Sequence, residues 1–259
     1  MIANYHTHTY RCKHATGGDE AYVRAAIDRG LHCLGFSDHT PMPFAGGEQH
    51  TAHHRMAVAD LPGYVASLLA LREKYRGQIE LLIGLEVEYY PTTFPALLAL
   101  LRTQPIDYII LGQHFLGNEE EGLPPCLQLT DRADYLAQYV DYVCAGMETG
   151  YFSYLAHPDV LHYTGDEACY DREMRRLCMA AKRLDIPLEI NLYGLSDGRH
   201  YPRPSFWQIA AECGNTAILG CDAHTSARVA EPREVAEGEA FAARYHLPLL
   251  STLPLRSLR

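Results

Sequence analysis

Short apolar, β-branched or aromatic runs recur along this chain with helix-like segments between them, and that alternation constrains the fold more than any other feature. IANYH, CLGFS, IELLIGLEVEYY, IDYIILGQ, YFSYLAH, IPLEINLY and TAILGC make seven candidate strands. Between them, Asp19 to Gly30 reads as a helix with Asp19 as its cap and Gly30 as its stop, and Arg132 to Gly150 repeats apolar side chains at three and four. Strands separated by helices imply parallel pairing through crossovers, and parallel strands buried on both faces read as near-continuous apolar runs. No Gly/Ser or Pro-rich linker and no internal repeat divides the 259 residues, so the expectation is one α/β domain over 1–259. Barrels and doubly wound sheets routinely reach this length.

The strand ends carry the second signal. Residues i and i+2 of a strand share a face, so His6 and His8 can reach one ion together. Alone, a His-x-His pair says little. Read the same way, the second strand ends on His39, the third carries Glu86, the fourth ends on His114, the fifth on His157, and the seventh on Asp222 and His224. Only the sixth lacks an obvious ligand, offering Glu189 and Asn191. In parallel α/β folds the carboxyl ends of the strands converge on one face, which gathers residues scattered from 6 to 224. His14, in the loop after the first strand, joins them from the rim. Seven imidazoles and two carboxylates exceed what a single ion uses, and suit two or three ions. Asp38 is expected to face away from His39, and Glu88 to share the face of Glu86 and orient a ligand. Cys12 and Cys221 flank these positions, but the nitrogen and oxygen donors already suffice. His32, His162 and His246 read as surface or loop residues.

The net charge of −10 argues against nonspecific binding of a nucleic-acid backbone, which needs clustered Lys and Arg. It leaves room for a small anionic substrate, because bound ions and one local arginine can reverse the sign of a pocket. No apolar run reaches the ~18 residues of a membrane span, and MIANYHTHTY lacks a basic and apolar leader, so a cytoplasmic location is expected. The eight cysteines form no CxxC pair and read as buried free thiols. Two long connections stand out: Thr40 to Asp60, where His50, His53 or His54 could serve in a lid, and Leu116 to Thr130, whose Glu119, Glu120 and Glu121 read as a solvated run. In the loop after the sixth strand, Arg199 presents a planar fork suited to two phosphate oxygens, with Tyr201 beside it.

Through YHTHT, CKHA, GFSDH, GLEVEY, DYIILGQHF, AHPD, EIN and GCDAH, in that order, the chain resembles the polymerase and histidinol phosphatase (PHP) superfamily, specifically its histidinol-phosphatase branch. The resemblance implies a distorted seven-stranded (β/α) barrel of TIM-like type with a trinuclear centre of Zn, Fe or Mn. It implies one ion on His6, His8, Glu86 and Asp222, a second on Glu86, His114 and His157, and a third on His14, His39 and His224. Glu86, Asp222 and His224 are then the residues nearest the chemistry, and Arg199 and Tyr201 those nearest the substrate. Gly112 and Gln113 depart from the branch's pattern of a small and then an apolar residue before His114. The implied reaction is hydrolysis of L-histidinol phosphate in histidine biosynthesis. No GxSxG motif appears, which favours direct attack by water. Two other readings stand: a phosphoesterase of this fold acting on another small phosphoester or nucleotide, and a metal-binding protein without turnover.

Overall fold

The alternation folds as a curled parallel sheet wrapped by helices. A computed structural model describes residues 1–44, 54–118 and 122–258. Among these residues, eight strands pair in sequence order: β1 (Ala3–Asn4), β2 (Cys33–His39), β3 (Glu80–Val87), β4 (Tyr108–Leu111), β5 (Phe152–Leu155), β6 (Leu188–Asn191), β7 (Ala217–Gly220) and β8 (Leu249–Leu250). Every pairing is parallel. The helices are α1 (Asp19–Asp28), α2 (Leu61–Lys74), α3 (Phe94–Leu101), α4 (Ala133–Glu148), α5 (Glu167–Arg183), α6 (Leu192–Ser196), α7 (Pro204–Glu212) and α8 (Pro232–Arg244). Helices cover the outside, while Tyr5, Tyr108, Ile110, Tyr154 and Ile218 fill the inside of the curl.

Two expectations need correction. The sheet has eight strands rather than seven. The extra one, β8, is two residues between Pro248 and Ser251, too short to register as an apolar run, and it pairs with the start of β7 through Ala217↔Leu249 and Ile218↔Leu250. Asp19 does not cap α1. Gly18 holds the cap position, and the Asp19 carboxylate is taken by Arg11 Nη1, at 2.9 and 3.0 Å, and by the Ser67 hydroxyl at 2.6 Å. Gly30, with φ +74°, does end that helix as expected.

The curl closes at its carboxyl end, by a different contact. Beyond β1 and β7 the chain stays extended, and Thr7 bridges Ala223. His8 N–H donates to Ala223 O at 3.0 Å and Ala223 N–H to His6 O at 3.3 Å. Asn4 reinforces this seam. Its amide nitrogen donates to His6 O (3.1 Å) and Thr7 Oγ1 (2.7 Å), and its Oδ1 accepts from Cys221 N–H (3.0 Å). The first and seventh strand ends therefore meet where the candidate ligands lie.

All eight cysteines are free. Among the described residues no helix is long and apolar enough to cross a membrane. His50, His53, Glu119, Glu120 and Glu121 lie outside the described residues.

Candidate metal centre

The strand ends bring all nine expected donors into one contiguous group. At its middle is Glu86, 2% exposed, near the end of β3. Its Oε2 lies 3.5 Å from His6 Nε2, 3.6 Å from His8 Nε2 and 3.1 Å from His39 Nδ1. Its Oε1 lies 2.7 Å from His157 Nε2 and 3.3 Å from His114 Nε2. Asp222 Oδ1 stands 3.6 Å from His6 Nε2 and 3.0 Å from His8 Nε2. His224 stacks on His8 with ring centroids 4.1 Å apart, and His14 stacks on His224 at 4.7 Å. His157 and Asp222 both adopt positive φ, +26° and +47°, a conformation uncommon for residues with a side chain and concentrated at functional sites.

These donors fit a metal. His6 Nε2, His8 Nε2, His224 Nε2, Glu86 Oε2 and Asp222 Oδ1 are buried and make no hydrogen bond, a costly condition that a bound cation relieves. His6, His8, Glu86 and Asp222 present two nitrogens and two oxygens with edges of 3.0 to 3.6 Å. Tetrahedral donors at about 2.1 Å from Zn²⁺ stand roughly 3.4 Å apart. The third expected set is less tidy. His39 and His224 group with His8, whereas His14 groups with His224 and the buried Cys12, donor atoms in each group lying within 4.8 Å of one another. Cys12 is thus closer to the cluster than its sequence position suggested, while Cys221 Sγ accepts from Ala230 N–H instead.

Neighbouring side chains orient the donors. Glu189, on β6, accepts from His6 Nδ1–H at 2.7 Å and from His157 N–H at 3.0 Å, which leaves His6 Nε2 directed at the cluster. Asn191 donates to both Glu189 (2.9 Å) and Asp222 Oδ2 (3.1 Å). The strand without a candidate donor of its own therefore holds the candidate donors of others, a role that scanning for donors at strand ends passes over. Asp38 faces His8 Nδ1 at 3.5 Å and takes the Thr9 hydroxyl. Carbonyl oxygens of Cys12 and Asp222 hold Nδ1 of His14 and His224, at 2.8 and 3.0 Å. Gly112 and Gly220 are small for a reason of space, since a methyl group there would collide with the carboxylates of Glu86 and Glu189. Gln113 accepts from Tyr89 N–H and donates to Phe115 O, tying the turn before His114 to the end of β3.

Charge within the cluster is unevenly shared. Burial pushes the His6 imidazole down, but Glu189, Asp222 and Glu86 outweigh it and raise it to about 10. Burial and the charge on His8 push His224 down to about 3 and His39 well below its usual range. His6 therefore carries a proton at neutral pH that would have to leave Nε2 before an ion could bind there. Metal uptake at about pH 7.5 is expected to release about one proton or more per chain, and affinity should rise with pH towards 10. Calorimetry in two buffers of different ionisation heat measures this, and equal heats would contradict it.

A pocket of about 340 Å³ opens over the cluster, lined by His14, His39, His114, His157, Asp222 and His224. Arg199, Tyr201 and Tyr193 line it too, with the Tyr193 ring 5.5 Å from that of His224 and the Tyr201 ring 6.1 Å from that of His157. The Arg199 guanidinium lies over the Tyr193 ring at 4.3 Å and donates to its hydroxyl at 2.8 Å. No carboxylate among the described residues lies within 4.0 Å of it. Tyr193 was not singled out by sequence, though its place straight after β6 puts it at the same mouth. His54 also reaches the pocket, stacked on Phe115 at 4.8 Å. His162 stacks on His200 at 4.0 Å, away from the cluster.

The PHP domain family model matches residues 4–193. A Deinococcus radiodurans protein named a probable histidinol-phosphatase is 30% identical over 236 residues, 88% of each chain. Bacillus subtilis histidinol-phosphatase is 28% identical over 153 residues, 58% of this chain and 55% of the relative. Among solved structures, a Lactococcus lactis histidinol phosphate phosphatase complexed with Zn, L-histidinol and phosphate superposes with a TM-score of 0.74 at 18% identity, covering 100% of this chain and 98% of the other.

Proposed function

This chain belongs to the PHP domain family, and we propose that within it the chain is a metal-dependent phosphomonoesterase that hydrolyses L-histidinol phosphate to L-histidinol and phosphate. The observation that carries the reading is the set of buried, hydrogen-bond-free donors beneath a pocket that is also lined by the Arg199 guanidinium. The curated relatives with that activity in their names supply the substrate.

His6, His8, Glu86 and Asp222 would hold one ion, Glu86, His114 and His157 a second, and His14, His39 and His224 a third, all of Zn, Fe or Mn type. Bound there, divalent ions supply charge neutralisation for the phosphoryl oxygens and hydroxide at neutral pH. Glu86, whose two oxygens face different histidines, would help to hold the first and second ions together. Glu189 keeps His6 in the tautomer that frees Nε2, and Asn191 keeps Asp222 turned inward. Arg199 would take two phosphoryl oxygens at the mouth of the pocket, with the Tyr201 hydroxyl at the edge of that seat. Positive charge gathered there would favour the transition state of phosphoryl transfer, which carries its charge on those oxygens.

Phosphate release from a panel of phosphomonoesters, with elemental analysis of the same preparation, tests the reading. The expected result is preference for L-histidinol phosphate and two to three divalent ions per chain. At most one tight ion and no activation by Mn²⁺ or Zn²⁺ would overturn the metal assignment, and preference for a nucleotide would overturn the substrate.

A further inference from the structure

We propose that Arg55 is a positioning residue for the second ion, acting on His114 through Glu88. The inference rests on the reading of His114 as a ligand. Arg55 and Glu88 are 2% and 3% exposed, so their 2.6 Å ion pair is shielded from water. Glu88 divides its two oxygens. Oε2 takes Arg55 Nη2, while Oε1 accepts from His114 N–H at 3.1 Å and stands 3.4 Å from His114 Nδ1. The other edge of the ring then faces Glu86, with Nε2 at 3.3 Å from Oε1.

Arg55 has a second hold. Its Nη1 donates to Thr40 O at 3.2 Å, and Thr40 in turn donates from its N–H and its hydroxyl to the carbonyl of Glu86, at 3.0 and 2.5 Å. The next residue, Met56, donates from its N–H to His39 O at 3.4 Å. One guanidinium thus spans the ends of β2 and β3 and, through Glu88, the turn after β4. Three of the candidate donors, His39, Glu86 and His114, hang on those three segments. A fork of fixed donors can serve Glu88 and Thr40 together, which the single nitrogen of lysine does poorly. Without Arg55, Glu88 is a buried, half-paired acid that gains by turning towards His114, which moves the imidazole.

The test is a double-variant cycle on Arg55→Met and Glu88→Gln, read by chelator competition for Zn²⁺ and by kinetics. Arg55→Met is expected to weaken one ion by about 10- to 100-fold, the range for partners of ligating histidines, and to leave the others at parental affinity. It should lower kcat with KM little changed. In the Glu88→Gln background, Arg55→Met should cost clearly less metal affinity than in the parent, because the route through Glu88 is already cut and only the hold on Thr40 remains to be lost. A folded Arg55→Met protein with every ion at parental affinity, or losses that simply add, would overturn the proposal. Should Arg55→Met fail to fold, Arg55→Lys with Glu88→Gln forms the same cycle, with a smaller first loss and the same non-additivity. His114→Gln separates the two readings. If it keeps every ion, the ligand assignment fails; if it loses one while Arg55→Met does not, only the role of Arg55 fails.

Discussion

Glu86→Gln is expected to lower kcat/KM by about a thousand-fold or more, on the order of 4 kcal/mol of transition-state stabilisation, and to leave the purified protein short of at least one ion. The carboxylate faces His6, His8 and His39 with one oxygen and His114 and His157 with the other. Glutamine keeps the volume but removes the charge, and replaces one acceptor oxygen with an NH₂ group that repels any cation. Burial pushes this carboxyl up, yet His114, His6 and His39 hold it well below the usual range, so it is ionised in the protein that receives the metal. Circular dichroism should show the fold retained, since Glu86 packs through its stem and Gly112 leaves room for an amide of equal size. Activity within tenfold of the parent together with a full complement of ions would contradict the bridging role.

Arg199→Lys is the second large effect. It should keep the ions and the fold and lose about 1.5–3 kcal/mol, the range for hydrogen bonds to charged groups, which is roughly a ten- to hundred-fold fall in kcat/KM. An arginine engaged in a surface ion pair would cost at most ~1 kcal/mol and nothing in turnover. Here the guanidinium lies over Tyr193 and meets phenol hydroxyls, at 2.8 Å from Tyr193 and 3.5 Å from Tyr201, so its charge remains available to an anion. Lysine loses both the fork and the stacking. Phosphate should also become a weaker product inhibitor of the variant, whereas kinetics within twofold of the parent would return Arg199 to the surface.

The strand ends were legible because two rules apply without knowledge of the tertiary structure. Buried parallel strands leave an apolar run, and parallel topology sends all carboxyl ends one way, so His39, Glu86, His114, His157 and Asp222 could be gathered before any contact was known. What escaped was anything short or supportive. Two residues of β8 carry no period. Asn4, Glu189 and Asn191 look like ordinary polar residues within strands, and only the distances to His6 and Asp222 reveal their work. Arg55 sits in a long connection where sequence offers no partner, and Cys12 was set aside although a 3₁₀ turn at Tyr10–Cys12 folds it back under His14.

The seam between the first and seventh strand ends has a consequence for biogenesis. Asn4 and Cys221, which pin it, are 217 positions apart, a contact of very high order that forms late. A chain leaving the ribosome exposes His6 and His8 long before Asp222 and His224 have been translated. Until then the early pair lacks the carboxylate and the stacked imidazole that complete its surroundings. The proposed first ion would therefore find its full set of donors only after the last part of the sheet has been made and the seam has closed.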